Sequence, residues 1–293
     1  MSRGIEPVAR AGRGLTFIAR LTHAPFPIDD SDGAFFDGRD SETGQRFHTG
    51  PDGPLPETRH FRDDRVLFHV PRHFDPTRPF TLLVFFHGHR TELRRTLVRA
   101  MKLTRQIDES GANVLLVAPQ LARDAADSHP GKLAQSGGLA RLLCEAAGVL
   151  ARAVPGLNRA ALARAPVILA AFSGGYRTVA YGLERGGIGR RLRGVVLLDA
   201  VYGEVERFQD WLAAPGRRGF FLCLYGPSSR SDTEALAARI KRAGQGLSTR
   251  YPARIRPNAV YIVSFDTPHD RVPLAGPPAH PLADILRRLP FLA

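Results

Sequence analysis

Ser173 closes a continuous apolar run, residues 167–172, and two glycines follow it directly. This pattern is typical of a buried strand that turns sharply into a helix with the serine at the apex. A free serine hydroxyl is a weak nucleophile, but such a turn exposes its oxygen both to a histidine and to backbone N–H donors. Serine before a helix is also a common N-cap. Ser173 is therefore either a nucleophile or a helix cap, and the choice depends on which residues lie near it.

Polar residues follow four other apolar runs at the same position, just beyond each predicted strand. These are His87-Gly88-His89-Arg90, Pro119-Gln120 with a loop containing Asp127, Ser128 and His129, then Asp199, and finally Asp266 to Asp270, which include His269. The carboxyl ends of parallel strands meet at one edge of a sheet, where ligand and catalytic sites form. Because neighbours in sequence rarely converge on one reacting atom, we interpret residues 127–129 as a polar loop over the pocket.

The elements that must position these residues alternate along the chain from about residue 65. Strand-like apolar runs cover residues 66–70, 81–86, 113–118, 167–172, 194–198, 220–225 and 259–265, and helix-like segments cover 93–110, 139–154, 178–184, 205–213 and 233–244. Several runs are continuous, as expected of strands that are covered on both faces. The alternation predicts an α/β fold with a mostly parallel, doubly wound sheet flanked by helices.

The first 60 residues are rich in Gly, Pro, Asp and Arg and are only weakly periodic. Short strands near residues 35–36 and 46–48 predict a hairpin at the edge of the main sheet. We therefore divide the chain into an N-terminal extension, residues 1–60, and a main domain, residues 61–293.

With these motifs in this order, the main domain resembles the α/β-hydrolase superfamily, in particular its serine esterases and lipases. Three motifs carry the resemblance: His87-Gly88 after an early strand, Ala171-Phe172-Ser173-Gly174-Gly175 as the nucleophile elbow, and His269 in the loop after the last strand. The order Ser, Asp, His also matches. The elbow departs from the usual Gly-x-Ser-x-Gly pattern because Ala171 replaces the first glycine, but one methyl group leaves the turn feasible.

The resemblance implies a role for each matching residue. Ser173 would be the nucleophile, and His269 the general base that later protonates the leaving group. The oxyanion hole would be formed by the backbone N–H groups of Gly174 and His89. His87 is expected to fix the oxyanion loop through hydrogen bonds of its ring.

The carboxylate partner of His269 has two candidates. In this superfamily it usually follows the penultimate strand, here residues 220–225, and the first carboxylate after that strand is Asp232, well beyond the turn. Asp199 lies directly at the end of the preceding strand. Because a strand end holds a carboxylate more rigidly than a loop does, we favour Asp199 and keep Asp232 as the alternative.

The function that the resemblance implies is hydrolysis of a carboxylic ester through an acyl-enzyme intermediate, with a small-molecule or acyl substrate. An amidase or a polymer or cell-wall hydrolase on the same fold is the alternative. A non-catalytic, hydrolase-like binding protein is a third. Neither the identity of the substrate nor the length of its acyl chain follows from the sequence.

The 293 residues carry a formal net charge of +13, and only three of the 41 basic residues are lysines. The arginines are scattered, and no recognition-helix pattern, zinc finger or aromatic-basic interleaving accompanies them, so we predict a solvated basic surface and no specific nucleic-acid partner. No metal, organic cofactor or membrane span is predicted, and the expected location is cytoplasmic. Cys144 and Cys223 are expected to be buried free thiols.

Overall fold

The computed structural model describes residues 6–9, 14–29, 35–276 and 278–289. These residues form β1 (Glu6–Ala9), β2 (Leu15–Arg20), β3 (Gly38–Arg39), β4 (Arg46–Gly50), β5 (Gly53–Pro56), β6 (Arg65–Val70), β7 (Thr81–Phe86), β8 (Val114–Pro119), β9 (Val167–Phe172), β10 (Leu192–Leu198), β11 (Phe220–Tyr225) and β12 (Val260–Ser264). Three of the predicted strands, β7, β9 and β11, have the bounds that the apolar runs predict.

Nine of these strands form one sheet in the order β1-β2-β6-β8-β7-β9-β10-β11-β12. In this order, every neighbouring pair from β8 to β12, including those that β7 forms with β8 and β9, is parallel. The pairs β1–β2, β2–β6 and β6–β8 are antiparallel. The predicted α/β architecture with a mostly parallel sheet is confirmed. The carboxyl ends of β7, β9, β10 and β12 therefore lie at one edge, where the polar residues predicted to meet follow them.

The continuous apolar runs result from burial of the sheet on both faces. In β7, Val84 and Phe86 belong to one hydrophobic cluster and Leu83 and Phe85 to another on the opposite face, as the period of two along a strand requires. All six residues of β7 are buried. The central strands are thereby fixed in position, which allows them to hold reactive groups at their ends.

The helices are α1 (Glu57–His60), α2 (Leu103–Ser110), α3 (Gly138–Ala153), α4 (Arg159–Arg164), α5 (Tyr176–Arg185), α6 (Val205–Ala213), α7 (Arg230–Arg242), α8 (Val272–Ala275) and α9 (Pro281–Arg287). The single helix predicted over 93–110 is wrong, because a π-helical segment, Leu93–Ala100, precedes α2 and the two are separated at Lys102. Lys102 has a φ of 51°, in the left-handed region, which interrupts a right-handed helix.

The segment before residue 60 differs from its prediction. Residues 46–48 lie in β4 as predicted, but Phe35 and Phe36 lie in a bend, and β4 pairs with β3 and β5 in a separate three-stranded sheet instead of bordering the main one. The main sheet is instead extended by β2, which pairs with β6, and by β1. Two parts of the proposed N-terminal extension, residues 6–9 and 15–20, therefore contribute strands to the main sheet.

Both cysteines are free, as expected, and Cys223 is buried, but Cys144 is exposed on α3. The expectation that both thiols are buried is therefore wrong for Cys144. Among the described residues, no helix combines the length and the apolar character needed to cross a membrane.

Candidate active site

Ser173 lies at the apex of a strand–turn–helix unit formed by β9 and α5. Its φ is 54°, in the left-handed region that non-glycine residues rarely occupy. Gly175 packs directly on β7, because a Cβ atom there would lie 2.3 Å from the carbonyl oxygen of Phe86. A side chain at position 175 would therefore push the turn away from the sheet. The turn holds Ser173 in a strained conformation, and such strain is common at functional sites.

The His269 imidazole faces the Ser173 hydroxyl. Its Nε2 atom lies 2.8 Å from Ser173 Oγ. The ring stacks on Phe172, with the ring centroids 4.8 Å apart and the planes 21° from parallel. About a third of the side chain, 33%, is exposed to solvent. His269 is thus held at hydrogen-bonding distance from Ser173 while one side of its ring stays open to a ligand.

Asp199 holds the other nitrogen of the His269 ring. It follows β10 directly, has a φ of 46° and is 0% exposed. Its Oδ2 atom lies 2.6 Å from His269 Nδ1 and accepts a hydrogen bond of 2.6 Å from the Ser228 hydroxyl. Its Oδ1 atom accepts hydrogen bonds from the Gly226 N–H group, at 2.9 Å, and from the Ser229 hydroxyl.

Burial alone would raise the pKa of Asp199, but the hydrogen bonds from His269, Ser228, Ser229 and Gly226 together hold the pKa of this carboxyl well below its usual range. Asp199 is therefore ionised at neutral pH. A carboxylate is only an acceptor, so His269 Nδ1 carries a proton, and in the neutral ring Nε2 accepts a hydrogen bond from the Ser173 hydroxyl.

The alternative carboxylate, Asp232, lies in the first turn of α7. Among the described residues, His269 forms its carboxylate contact with Asp199 and not with Asp232. The segment after β11, where Asp232 was considered, instead supplies Ser228 and Ser229 as donors to Asp199.

The loop after β7 packs against Ser173. A Cβ atom at Gly88 would lie 2.6 Å from Ser173 Cβ and 3.2 Å from the carbonyl oxygen of Phe172. Gly174 directly follows Ser173, and His89 follows Gly88 in the loop that packs on the serine. Their backbone N–H groups are therefore the candidate donors to an oxygen atom placed beside Ser173.

The buried His87 ring holds this loop in place through hydrogen bonds. It is 1% exposed, and its Nε2 atom accepts a hydrogen bond of 2.8 Å from the Leu121 N–H group. Nδ1 therefore carries the proton and donates to the carbonyl oxygen of Gly88, at 2.7 Å. Burial lowers the pKa of His87 to about 4, so the ring is neutral at pH 7.

Gln120, directly after β8, extends the same network. Its Nε2 atom lies 2.8 Å from His87 Nε2 and donates to the carbonyl oxygen of Thr91 at 2.9 Å, while its Oε1 atom accepts from the N–H group of Leu93 at 3.1 Å. The loop after β7 is thereby tied to the end of β8 at several points.

The three polar residues of the 127–129 loop point in different directions. Ser128 Oγ lies 2.7 Å from His89 Nε2, and a Cβ atom at Gly174 would lie 2.5 Å from that oxygen. Asp127 lies 3.4 Å from His48 of the small sheet, whereas the His129 ring packs against Phe35 at a centroid distance of 4.3 Å. Only Ser128 of the three therefore reaches the neighbourhood of Ser173.

Tyr202, Ser228 and Ser229 were not identified from the sequence. The hydroxyl of Tyr202 lies 3.1 Å from His269 Nδ1, and its ring stands edge-on to the imidazole, at 89°. The Tyr176 hydroxyl donates to the backbone oxygen of Tyr202 at 2.8 Å. Burial raises the pKa of Tyr202 to about 12, so its hydroxyl stays protonated. The only signal in the sequence that could have indicated them is their position just after strands, because Tyr202 follows Asp199 closely and the two serines follow β11.

No group of three or more His, Cys, Asp or Glu side chains among the described residues could hold a metal ion. The groups gathered at this sheet edge are a hydroxyl, an imidazole, a carboxylate and backbone N–H donors. Such a set can transfer protons and stabilise an oxyanion.

Two solved structures are similar to this chain over nearly its whole length. S-formylglutathione hydrolase from Agrobacterium tumefaciens has a TM-score of 0.51 at 10% identity, covering 98% of this chain and 100% of that one. A serine-to-alanine variant of the feruloyl esterase module from Clostridium thermocellum, complexed with sinapinate, has a TM-score of 0.50 at 12% identity, with 92% and 94% covered. No protein-family sequence profile and no curated protein sequence matches the chain. The chain has the α/β-hydrolase fold, as its sequence predicts.

Proposed function

We propose that this chain, which has the α/β-hydrolase fold, is a serine hydrolase that cleaves a carboxylic ester through an acyl-enzyme intermediate. The observation that carries the proposal is the hydrogen-bonded series from Ser173 Oγ through His269 to Asp199, with distances of 2.8 and 2.6 Å. Three residues that are far apart in sequence converge there from the ends of β9, β10 and β12. A helix-capping role for Ser173 does not account for the imidazole or for the buried carboxylate behind it.

In the proposed acylation step, Ser173 Oγ attacks the carbonyl carbon of the ester while His269 Nε2 takes the hydroxyl proton. The carbonyl oxygen becomes an oxyanion and accepts hydrogen bonds from the N–H groups of Gly174 and His89. When the tetrahedral intermediate collapses, the bond to the alcohol oxygen breaks and His269 gives its proton to that oxygen. The products of this step are a free alcohol and an ester of Ser173.

In the proposed deacylation step, water occupies the position that the alcohol has left. His269 Nε2 takes a proton from the water, whose oxygen attacks the acyl carbon, and then returns the proton to Ser173 Oγ as the acid departs. Asp199 remains ionised throughout and stabilises the imidazolium that forms in each step. Its low pKa, which results from the hydrogen bonds that outweigh its burial, supports this role.

The fold comparisons support ester hydrolysis among the reactions that this fold performs, since the two solved proteins are named as a hydrolase and an esterase. The structure of this chain does not favour an amide or a polymer over an ester. We therefore keep a carboxylic ester as the proposed substrate class.

The test is turnover of p-nitrophenyl esters with short and medium acyl chains, compared with the matching p-nitroanilides. We expect the wild-type protein to hydrolyse at least one ester faster than its anilide. Replacement Ser173→Ala is expected to lower kcat by at least about 10⁴-fold, because the nucleophile is lost. A Ser128→Ala variant serves as the control serine and is expected to keep turnover within about tenfold. Cleavage of anilides alone would assign an amidase, and full activity of Ser173→Ala would overturn the proposal.

A further inference from the structure

A groove of about 910 Å³ lies at the amino-terminal edge of the main sheet, opposite the candidate active site. It is formed where β7, β9, β10, β11 and β12 begin. Its lining residues are Thr77, Arg78, Pro79, Phe80, Thr81, Ala161, Arg164, Ala165, Pro166, Arg193, Arg218, Pro257 and Asn258. The volume falls in the range of about 300–1,000 Å³ that is common for small-molecule sites.

Four arginines, Arg78, Arg164, Arg193 and Arg218, surround this groove, and none of the lining residues is acidic. In the part of the chain that the structure describes, none of the four guanidinium groups forms a salt bridge. Elsewhere many arginines do, for example Arg65 with Asp63 at 2.7 Å. The positive charge of the groove is therefore not neutralised by carboxylates in direct contact.

Asp75 is an acidic residue whose charge acts on Arg78. Its Oδ1 atom already accepts hydrogen bonds from the Thr77 N–H group, at 2.8 Å, and from the Thr77 hydroxyl, at 2.6 Å. Asp75 therefore offsets part of the charge of Arg78, but among the described residues it forms no salt bridge with the groove arginines.

Much of the groove lining is apolar, since it includes Pro79, Phe80, Pro166 and Pro257 and two alanines. A purely inorganic anion would leave this surface in contact with water. An organic anion would cover it, and the removal of this apolar surface from water would favour binding. The planar guanidinium groups of the lining arginines match the geometry of phosphate and carboxylate oxygens.

We propose that this groove binds a small organic polyanion, with an apolar ring or chain on the proline and phenylalanine side chains and at least two phosphate or carboxylate groups on the arginines. The net charge of +13 raises the local concentration of anions around the whole protein, and the groove supplies the shape that selects among them. The site is separate from Ser173, and its occupancy does not depend on the proposed ester hydrolysis.

The test is isothermal titration calorimetry of the full chain with three probes at one ionic strength. ATP presents an aromatic ring and phosphates, benzene-1,3,5-tricarboxylate an aromatic ring and carboxylates, and inorganic tripolyphosphate charge without an apolar part. We expect one molecule of at least one aromatic probe to bind per chain, at least tenfold more tightly than tripolyphosphate. Comparison of the two aromatic probes distinguishes phosphate from carboxylate recognition.

The combined variant Arg164→Gln, Arg193→Gln and Arg218→Gln is expected to weaken that binding at least tenfold. A matched control, Arg39→Gln, Arg59→Gln and Arg99→Gln, removes the same charge from exposed positions outside the groove and is expected to change binding less than twofold. The Ser173→Ala variant is expected to bind as the wild type does. Equal losses in both triple variants, equal affinity for tripolyphosphate, no binding of either aromatic probe, or loss of binding in Ser173→Ala would overturn the proposal. If a triple variant does not fold, the single variants Arg164→Gln and Arg59→Gln make the same comparison.

Discussion

At the scale of single residues, the Asp199 carboxylate is fully buried and yet surrounded by donors from two segments: His269 in one, and the Gly226 N–H group with the hydroxyls of Ser228 and Ser229 in the other. These segments follow β12 and β11, so the carboxylate also ties the ends of neighbouring strands together. Its charge then has two roles, since it orients the imidazole and satisfies donors that would otherwise be buried without partners.

Replacing Asp199 by asparagine keeps the shape of the side chain and removes the charge. The amide N–H group of asparagine would donate to His269 Nδ1 instead of accepting from it, which favours the wrong tautomer of the ring. We therefore expect Asp199→Asn to lower kcat for an ester by about 10⁴-fold. Steady-state kinetics measures this effect, and a thermal melt shows whether the variant is folded. The control is Asp232→Asn, which is expected to keep wild-type kinetics; a large loss there, with Asp199→Asn active, would exchange the roles of the two residues.

Tyr202 is expected to be a positioning residue for His269. The Tyr202→Phe variant removes the hydroxyl that lies 3.1 Å from Nδ1 but retains the ring. Asp199 accepts the Nδ1 proton, so the Tyr202 hydroxyl can only share it as a second, longer acceptor. Loss of a contact worth about 1 kcal/mol corresponds to a decrease in kcat of roughly fivefold, with KM nearly unchanged. A pH profile of kcat separates this role from a structural one, because only a change at the imidazole displaces the profile. Tyr181→Phe, on α5 beside Arg185 and Arg207, is the control and should leave both the rate and the profile unchanged.

At the scale of elements, the strands that carry the site could be predicted because their signal is local. The run 167–172 is apolar at every position since both faces of β9 are covered, and the glycines after Ser173 mark the turn. The split of the predicted 93–110 helix could not be predicted, because Lys102 is compatible with a helix and its left-handed conformation has no local sequence signal. The contacts of Tyr202 and Ser228 also escaped prediction, since they join residues 67 and 29 positions apart.

The loop after β7 provides a test of the proposed oxyanion hole. In a Gly88→Ala variant the new methyl group would lie 2.6 Å from Ser173 Cβ, so the loop must move away from the serine. We expect kcat for an ester to fall by about 10²-fold or more, as for loss of one oxyanion donor, and stability to fall by about 1–3 kcal/mol. Gly246→Ala is the control, because a Cβ atom there meets no other atom within 4 Å. Unchanged kinetics in Gly88→Ala would show that this loop has no part in the reaction.

At the scale of the whole molecule, the two edges of the main sheet have different character. The carboxyl edge holds Ser173, His269 and Asp199, and the amino edge holds the arginine-lined groove. The sequence predicted the first, because each reactive residue follows its own strand. It did not predict the second, because the arginines become neighbours only when the strand order places β7, β9, β10, β11 and β12 side by side. The role of β2 was missed for the same reason, since its partner β6 lies about 50 residues away.

Two histidines with lowered pKa values, the buried His87 and the half-buried His129, make the stability of the fold depend on pH. Burial lowers the pKa of His87 to about 4, and also that of His129 to about 4, where the charge of Asp127 opposes the shift. The unfolded chain binds these protons near pH 6.5, whereas the native protein does not until about pH 4. The unfolding free energy therefore decreases as pH falls from about 6.5 to about 4. For the fully buried His87 the decrease is roughly 3 kcal/mol. Asp199, whose native pKa is depressed, loses its contribution only at still lower pH.

Urea unfolding at pH values between 7.5 and 4.5 measures this dependence. The His87→Gln variant keeps an acceptor for the Leu121 N–H group but has no proton to bind, so we expect its unfolding free energy to fall less steeply over this range. The His129→Gln variant is expected to reduce the slope in the same way. Slopes equal to that of the wild type in both variants would contradict the assignment of buried neutral imidazoles.

The central claim is that the Ser173 hydroxyl is an activated nucleophile, and covalent labelling tests it most directly. The folded protein is treated with a fluorophosphonate, and the adduct is counted by intact mass and located by peptide mapping. We predict one adduct per chain, on Ser173, in the wild type and in Ser128→Ala, and none in Ser173→Ala. We also predict slower labelling in Asp199→Asn, because its imidazole is no longer oriented to take the proton. An active protein that carries no adduct, or an adduct on another serine, would contradict the claim.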